Sequence, residues 1–243
     1  AASDGTLSPK SLVRDQTESW YWKWCGSPEV VSTFTLLLDT LRNQSLQEDF
    51  NPNVWEKYFA TTSIISVAKQ CRDNSSSDQM APSFIAGLPE IILKELQGLF
   101  VSWVKLASIP FSCFQVFLVL LPKKLGGFRT IGMYPSLFRI FMGCLAPLFR
   151  QWDKDHAQPG DTAGPGVEAE LELYRRQIQV EVLSKLKIDF LQVLFDIEKF
   201  YDSISPSALM QDLVTEGFPP ILACLALQGH QLPRRIVLGK HIG

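Results

Sequence analysis

Residues Val116 to Leu121 are uninterruptedly apolar, and this run does most to limit what the chain can build. Six apolar residues are far short of the roughly 20 needed to span a bilayer as a helix. They suit a strand buried on both faces. Lys123 and Lys124 end the run, Gly126 and Gly127 supply a turn, and Phe128 to Met133 return. The segment therefore predicts a β-hairpin over 116–133. A first strand this apolar must be covered, which commits the chain to a sheet wrapped by other elements.

The flanking sequence supplies mostly helices. Pro89 suits the first turn of a helix in which Ile92, Leu96, Leu99, Phe100 and Trp103 share one face. After the hairpin, Pro135 opens a helix carrying Leu137, Ile140, Phe141, Cys144 and Leu148, which Pro147 should kink or end. Residues 155–166 read as a turn-rich loop, and Leu171, Tyr174, Ile178 and Val182 as one side of the next helix. Phe190 to Phe195 reads as a strand ending at Asp196. Ser205 and Pro206 then start a short helix that Gly217 stops. A further helix is expected over 221–227 and a strand over Arg235 to Leu238. Nearer the start, Val30 to Leu41 and Val54 to Ala68 each read as a helix. Trp20, Trp22 and Trp24 alternate with Tyr21, Lys23 and Cys25, which predicts a short strand. Its tryptophans would stack on bases or, the simpler reading, pack against the rest of a larger protein. The polar stretch 71–82 is the natural place for a linker.

Composition narrows the class. Of 243 residues 46% are apolar and 20% charged, an ordinary globular balance that excludes wholesale disorder. The formal net charge is −2, so nucleic-acid binding would have to come from a local basic surface. The five cysteines are scattered, with no C-x-x-C, which argues against zinc and for reduced thiols inside a cell. No signal peptide opens the chain, so the glycosylation-type triplets at Asn43 and Asn74 read as chance. The first residue is Ala and the last, Gly243, falls within an expected strand, so the chain is expected to be a fragment or a processed piece. The three histidines form no catalytic grouping and read as surface or packing residues.

Two places carry chemistry. Asp196 at a strand end, with Asp202 six residues on, is the kind of rigid, half-exposed carboxylate that binds a hard divalent cation. The same arrangement is common as a plain turn. Lys123, Lys124 and Arg129 surround the hairpin turn, where cations would hold a triphosphate. A solvated tip that discourages edge pairing would look the same.

In this order the two places resemble a known family. LLPKKLGGFRTIGMYPSLFRIF, followed about fifty residues later by VLFDIEKFYDSIS, is similar to the reverse transcriptases of non-LTR retrotransposons and their group II intron relatives. The resemblance covers roughly residues 78–243. It implies an α+β right-hand polymerase, with helix-rich fingers bearing the hairpin and a partial antiparallel palm sheet. The implied division is an N-terminal extension over 1–77, mostly helical, fingers over 78–155 and a partial palm over 156–243. Asp196 would be the catalytic metal-binding residue, with the backbone carbonyl of Ile197 beside it, holding Mg²⁺ or Mn²⁺. Tyr201 would pack under the incoming sugar. Lys123, Lys124 and Arg129 would hold the nucleotide's phosphates, and Asp202 would be structural. RNA template, DNA primer and dNTP are the implied partners, with no membrane, in an intracellular, nuclear or nucleoprotein-associated setting.

Thr130 stands where the family has Pro, and Phe200 where it has a small residue. The family's Gln-Gly and aromatic-x-Asp-Asp motifs would follow the strand near Arg235 to Leu238, and no Asp pair occurs before Gly243, so this chain by itself is expected not to polymerise. The alternative expectation is a degenerate or domesticated copy that binds RNA or protein without catalysis.

Overall fold

The computed structural model describes residues 8–25, 28–47, 50–73, 76–110, 114–124, 127–157, 169–191, 204–238 and 241–242. In chain order the elements are helices α1 (Pro9–Cys25), α2 (Pro28–Gln47), α3 (Pro52–Tyr58), α4 (Thr61–Gln70), α5 (Pro82–Ala86) and α6 (Glu90–Lys105), then strands β1 (Val116–Pro122) and β2 (Phe128–Met133). Helices α7 (Ser136–Asp155), α8 (Ala169–Lys185), α9 (Pro206–Thr215) and α10 (Pro220–Gln231) come next, and strands β3 (Arg234–Leu238) and β4 (His241–Ile242) complete the set. The fold is α+β and rich in helix, with one small mixed sheet among the described residues. Among the described residues no helix is long and apolar enough to cross a membrane. The chain divides into two compact units, one of Ala1–Leu145 with Asp202–Gly243 and one of Ala146–Tyr201.

The sheet runs β2-β1-β3-β4. β1 and β2 form the expected antiparallel hairpin, with Leu121 opposite Arg129. β3 lies parallel to β1, with Leu118 opposite Ile236, so these strands do not form a separate antiparallel palm sheet. The hairpin leaves one edge of β1 unpaired, and β3 fills it. A parallel pair needs a long crossover, which residues 134–233 provide. β1 is not equally buried on its two faces. Val116, Leu118 and Leu120 are nearly inaccessible, whereas Phe117 and Val119 are half-buried and Leu121 is exposed.

An aromatic cluster lies at the centre of the first unit. Phe59, Phe100 and Phe141 are completely buried. The Phe141 ring stacks on Phe59 at 5.3 Å and meets Phe100 at 5.3 Å and Trp103 at 5.1 Å edge-on. This explains a break in the expected helix over 54–68. Asn51 caps α3 by accepting from the Asn53 N–H, and α3 ends at Tyr58. Ala60 is extended, and α4 then restarts at Thr61. The interruption coincides with Phe59, which a continuous helix would not place in the same way.

Other expectations are corrected too. Residues 20–25 are the last turns of α1, not a strand. Ser8 caps that helix by accepting from the Ser11 N–H at 3.1 Å, and Pro9 is its first residue. Once nucleated, a helix gains a hydrogen bond for each residue added, whereas a short strand needs a partner. Pro147 lies inside α7 and does not end it. Within α7, Gly143 lets the helix approach α4, since a Cβ there would lie 2.4 Å from Val67 Cγ1.

The polar stretch 71–82 is stitched into the fold. Asp78 accepts from the Ser136 N–H at 2.9 Å, capping α7. The Ser136 hydroxyl donates back to the Met80 carbonyl, and the Ser77 hydroxyl to the Gln115 carbonyl. Asp73 accepts from the Ser83 N–H at the start of α5, and that bond together with the Ser83 hydroxyl and nearby Arg139 holds its carboxyl below the usual range.

Ser205, Pro206 and Gly217 behave as expected around α9, with Gly217 at φ +70°. Helix α10 spans the segment expected over 221–227. In the second unit α8 carries Leu171, Tyr174, Ile178 and Val182 along one side, and Glu172 pairs with Arg175 and Arg176 on its surface. The expected loop over 155–166 lies mostly outside the described residues. Phe190 and Leu191 are not in a strand, and the rest of the strand expected there lies outside the described residues.

Buried thiols make the core sensitive to alkali. Burial, with the neighbouring Cys71 thiol, pushes Cys144 from 9.0 up to about 12. A raised folded pKa stabilises below the unfolded pKa and loses that contribution as pH rises above it. Stability should therefore fall by about 1.4 kcal/mol per pH unit from roughly pH 9, the unfolded thiol's range, towards pH 12. Urea melts between pH 8 and 10.5 test this, and Cys144→Ala should flatten the slope. An unchanged slope in that variant refutes the assignment.

Candidate functional site

The hairpin tip is built by one backbone bond and one glycine. The Lys123 N–H donates to the Gly127 carbonyl at 3.0 Å, and Gly127 adopts φ +77°, a region that favours glycine. Lys123 and Lys124 leave the end of β1, and Arg129 stands one residue into β2. All three are exposed. None has a carboxylate partner among the described residues. Three cations at one end of a hairpin, with no carboxylate partner among the described residues, can bind a polyphosphate, with Arg129 offering a planar fork and the lysines point charges.

Register separates the neighbours of these cations. Thr130 pairs with Leu120 and faces the core, where its hydroxyl oxygen is buried without a partner among the described residues. Arg129 and Ile131 face the other way, beside Leu121 and Val119.

Asp196, Ile197 and Tyr201 lie outside the described residues, as do Phe200 and Asp202. The structure therefore neither brings them to the hairpin nor separates them from it. Among the described residues no group of three or more His, Cys, Asp or Glu could hold a metal ion. His156 stacks on Trp152 at 4.2 Å, which fits the packing role expected of it.

An apolar groove lies between α5, α6 and the start of α7, with a volume near 280 Å³. Ile92 and Leu99 line it and are 46% and 43% exposed, so of the expected face of α6 Leu96, Phe100 and Trp103 are buried, joined by Leu93 and Val104 in place of Ile92 and Leu99. Glu95 is its only charged lining residue, which makes it a poor place for polar chemistry.

The Arg235 side chain is exposed, and β3 brings it opposite Phe117. Nothing in the local sequence announces which strand β3 will join. A comparison with protein-family models finds none that matches the chain, and no curated protein matches it either.

Proposed function

We propose that this chain is part of an RNA-directed DNA polymerase, the fingers and a portion of the palm, in which the hairpin cations grip the incoming nucleotide. One observation carries the reading: Lys123, Lys124 and Arg129 are exposed together at one hairpin end with no carboxylate neutralising them among the described residues. The motif order along the chain supports it. Arg129 and the two lysines would bind and orient the triphosphate and offset its charge as pyrophosphate leaves. Tyr201 would pack beneath the sugar. The resemblance assigns a divalent ion to the Asp196 carboxylate and the Ile197 carbonyl. When bound, that ion would favour the primer's 3′-oxygen as nucleophile for the α-phosphate.

Binding of a fluorescent dNTP in the presence of Mg²⁺ tests the proposal. Arg129→Ala should weaken binding about tenfold, since a charge-assisted bidentate contact contributes on the order of 1.5–3 kcal/mol. Lys123→Ala with Lys124→Ala should do the same, and the nucleoside monophosphate should bind far more weakly. Unchanged affinity in these variants, or no triphosphate binding by the parent chain, overturns the reading. Primer extension by these 243 residues alone should be absent. A non-catalytic relative would bind RNA but show no loss of Mg²⁺-dependent dNTP binding on Asp196→Ala.

A further inference from the structure

In the second unit, helix α8 keeps an apolar side in contact with solvent. Leu171, Tyr174, Ile178 and Val182 are each between 48% and 64% exposed. At about 100° per residue these four and Lys185 fall within roughly 80° of the helix circumference. Single exposed apolar residues are ordinary, but four in a row over about three turns make a continuous stripe. The helix is also divided by charge. Its first turn holds Glu170 and Glu172, and its last holds Lys185. Glu172 is taken up by Arg175 and Arg176 on the same helix. Glu170 and Lys185 have no ion-pair partner among the described residues, and helical geometry puts both on the same side of Ile178.

These features match a second copy of the same helix running the other way. We propose that the chain self-associates through α8 as an antiparallel pair with Ile178 on the two-fold axis. Such a contact must be self-complementary, and this one is. Equal steps from Ile178 bring Tyr174 level with Val182 of the second copy. Leu171 comes level with Lys185 of the second copy, whose methylenes can cover it. Glu170 lies one residue step away, about 1.5 Å along the axis, so each end of the contact gains an opposite-charge pair. A parallel pair would instead set Glu170 against Glu170 and Lys185 against Lys185, with the helix dipoles aligned. A purely acidic or purely basic partner would suit one end of the stripe and oppose the other. The contact is only about 25 Å long, short of a standard interface, so the dimer is weak and concentration-dependent. Nothing in it draws on the polymerase reading.

Sedimentation equilibrium of the whole chain over the micromolar range should show a monomer–dimer equilibrium. Ile178→Asp sets two carboxylates against each other on the axis and should weaken association at least about tenfold. Glu170→Lys and Lys185→Glu should each weaken it roughly fivefold, since each reverses two symmetry-related pairs. The double variant, Glu170→Lys with Lys185→Glu, restores opposite charges in the antiparallel arrangement and should recover the parent affinity. All three positions are exposed, and circular dichroism checks that each variant is folded. A chain that stays monomeric throughout the range overturns the proposal, and so does unchanged association in Ile178→Asp. Single reversals without effect, or a double variant no stronger than they are, overturn the antiparallel register. A monomer in which Ile178→Asp lowers the unfolding midpoint would assign the stripe to packing within the chain instead.

Discussion

Phe141→Ala should remove about 3–5 kcal/mol of stability, the usual cost of truncating a fully buried aromatic ring. Its ring joins three separate segments, touching Phe59 between α3 and α4 and Phe100 and Trp103 on α6. The loss combines apolar area with aromatic pairs worth about 0.5–1.5 kcal/mol each beyond burial. Collapse cannot fill the gap cheaply, because Phe59 and Phe100 are themselves fully enclosed. Against a typical total of about 5–15 kcal/mol, roughly a fifth of the stability or more would go. Urea denaturation reads it as a lower midpoint with an unchanged slope. Phe84→Ala is the control. That ring is 62% exposed, so its loss should cost much less. Similar costs for the two substitutions would mean the cluster is not the core.

Gln228→Leu should cost about 2–5 kcal/mol, although it keeps the side chain's bulk, because it strands the buried Ile109 N–H, at about 1–3 kcal/mol, and leaves the Ala107 carbonyl only the weak Cys224 thiol donor at 3.6 Å. The Gln228 side chain accepts from the Ile109 N–H at 2.8 Å and donates to the Ala107 carbonyl at 2.7 Å. Gln228, Ala107 and Ile109 are all buried, so water cannot replace the lost partners. The clamp holds α10 to the turn after α6, where Ala107 sits at φ +44°. Gln228→Glu gives a sharper test. A carboxylate would still accept from Ile109 but would face the Ala107 oxygen. Protonated, it could donate there again. A buried carboxyl of this kind has a raised folded pKa, so its deficit relative to the parent should shrink as pH falls towards about 4, the ordinary Glu range, and grow above it. A deficit independent of pH would show that the two hydrogen bonds are not what the residue contributes.

These two positions show how legibility varied along the chain. The hairpin could be read because its signals are local: an apolar run, a lysine stop and a glycine turn. The same holds for α9, where Ser205, Pro206 and Gly217 act on their own neighbours. Ser8 and Pro9 carried the same start signal for α1, but the alternation of Trp20, Trp22 and Trp24 pointed to a strand, and helix propagation overrode it. The importance of Gln228 could not be read at all. Its partners lie 119 and 121 residues away, and a glutamine late in an apolar helix looks like any other polar residue. Ile92 and Leu99 failed for a related reason. Periodicity marks an apolar face, but whether that face meets a neighbour or a groove depends on where α5 and α7 lie.

For the candidate site the division is equally clear. Sequence alone determined the strand, the turn and the three cations Lys123, Lys124 and Arg129, since a hairpin's register follows from its turn and its alternation. It also set the motif order from which the polymerase reading comes. Only the tertiary structure decided that β3 lies parallel to β1, and hence that Arg235 shares a face with Arg129. Strand pairing across more than a hundred residues depends on which buried edge remains open after everything else has packed. No local pattern in either strand encodes that outcome.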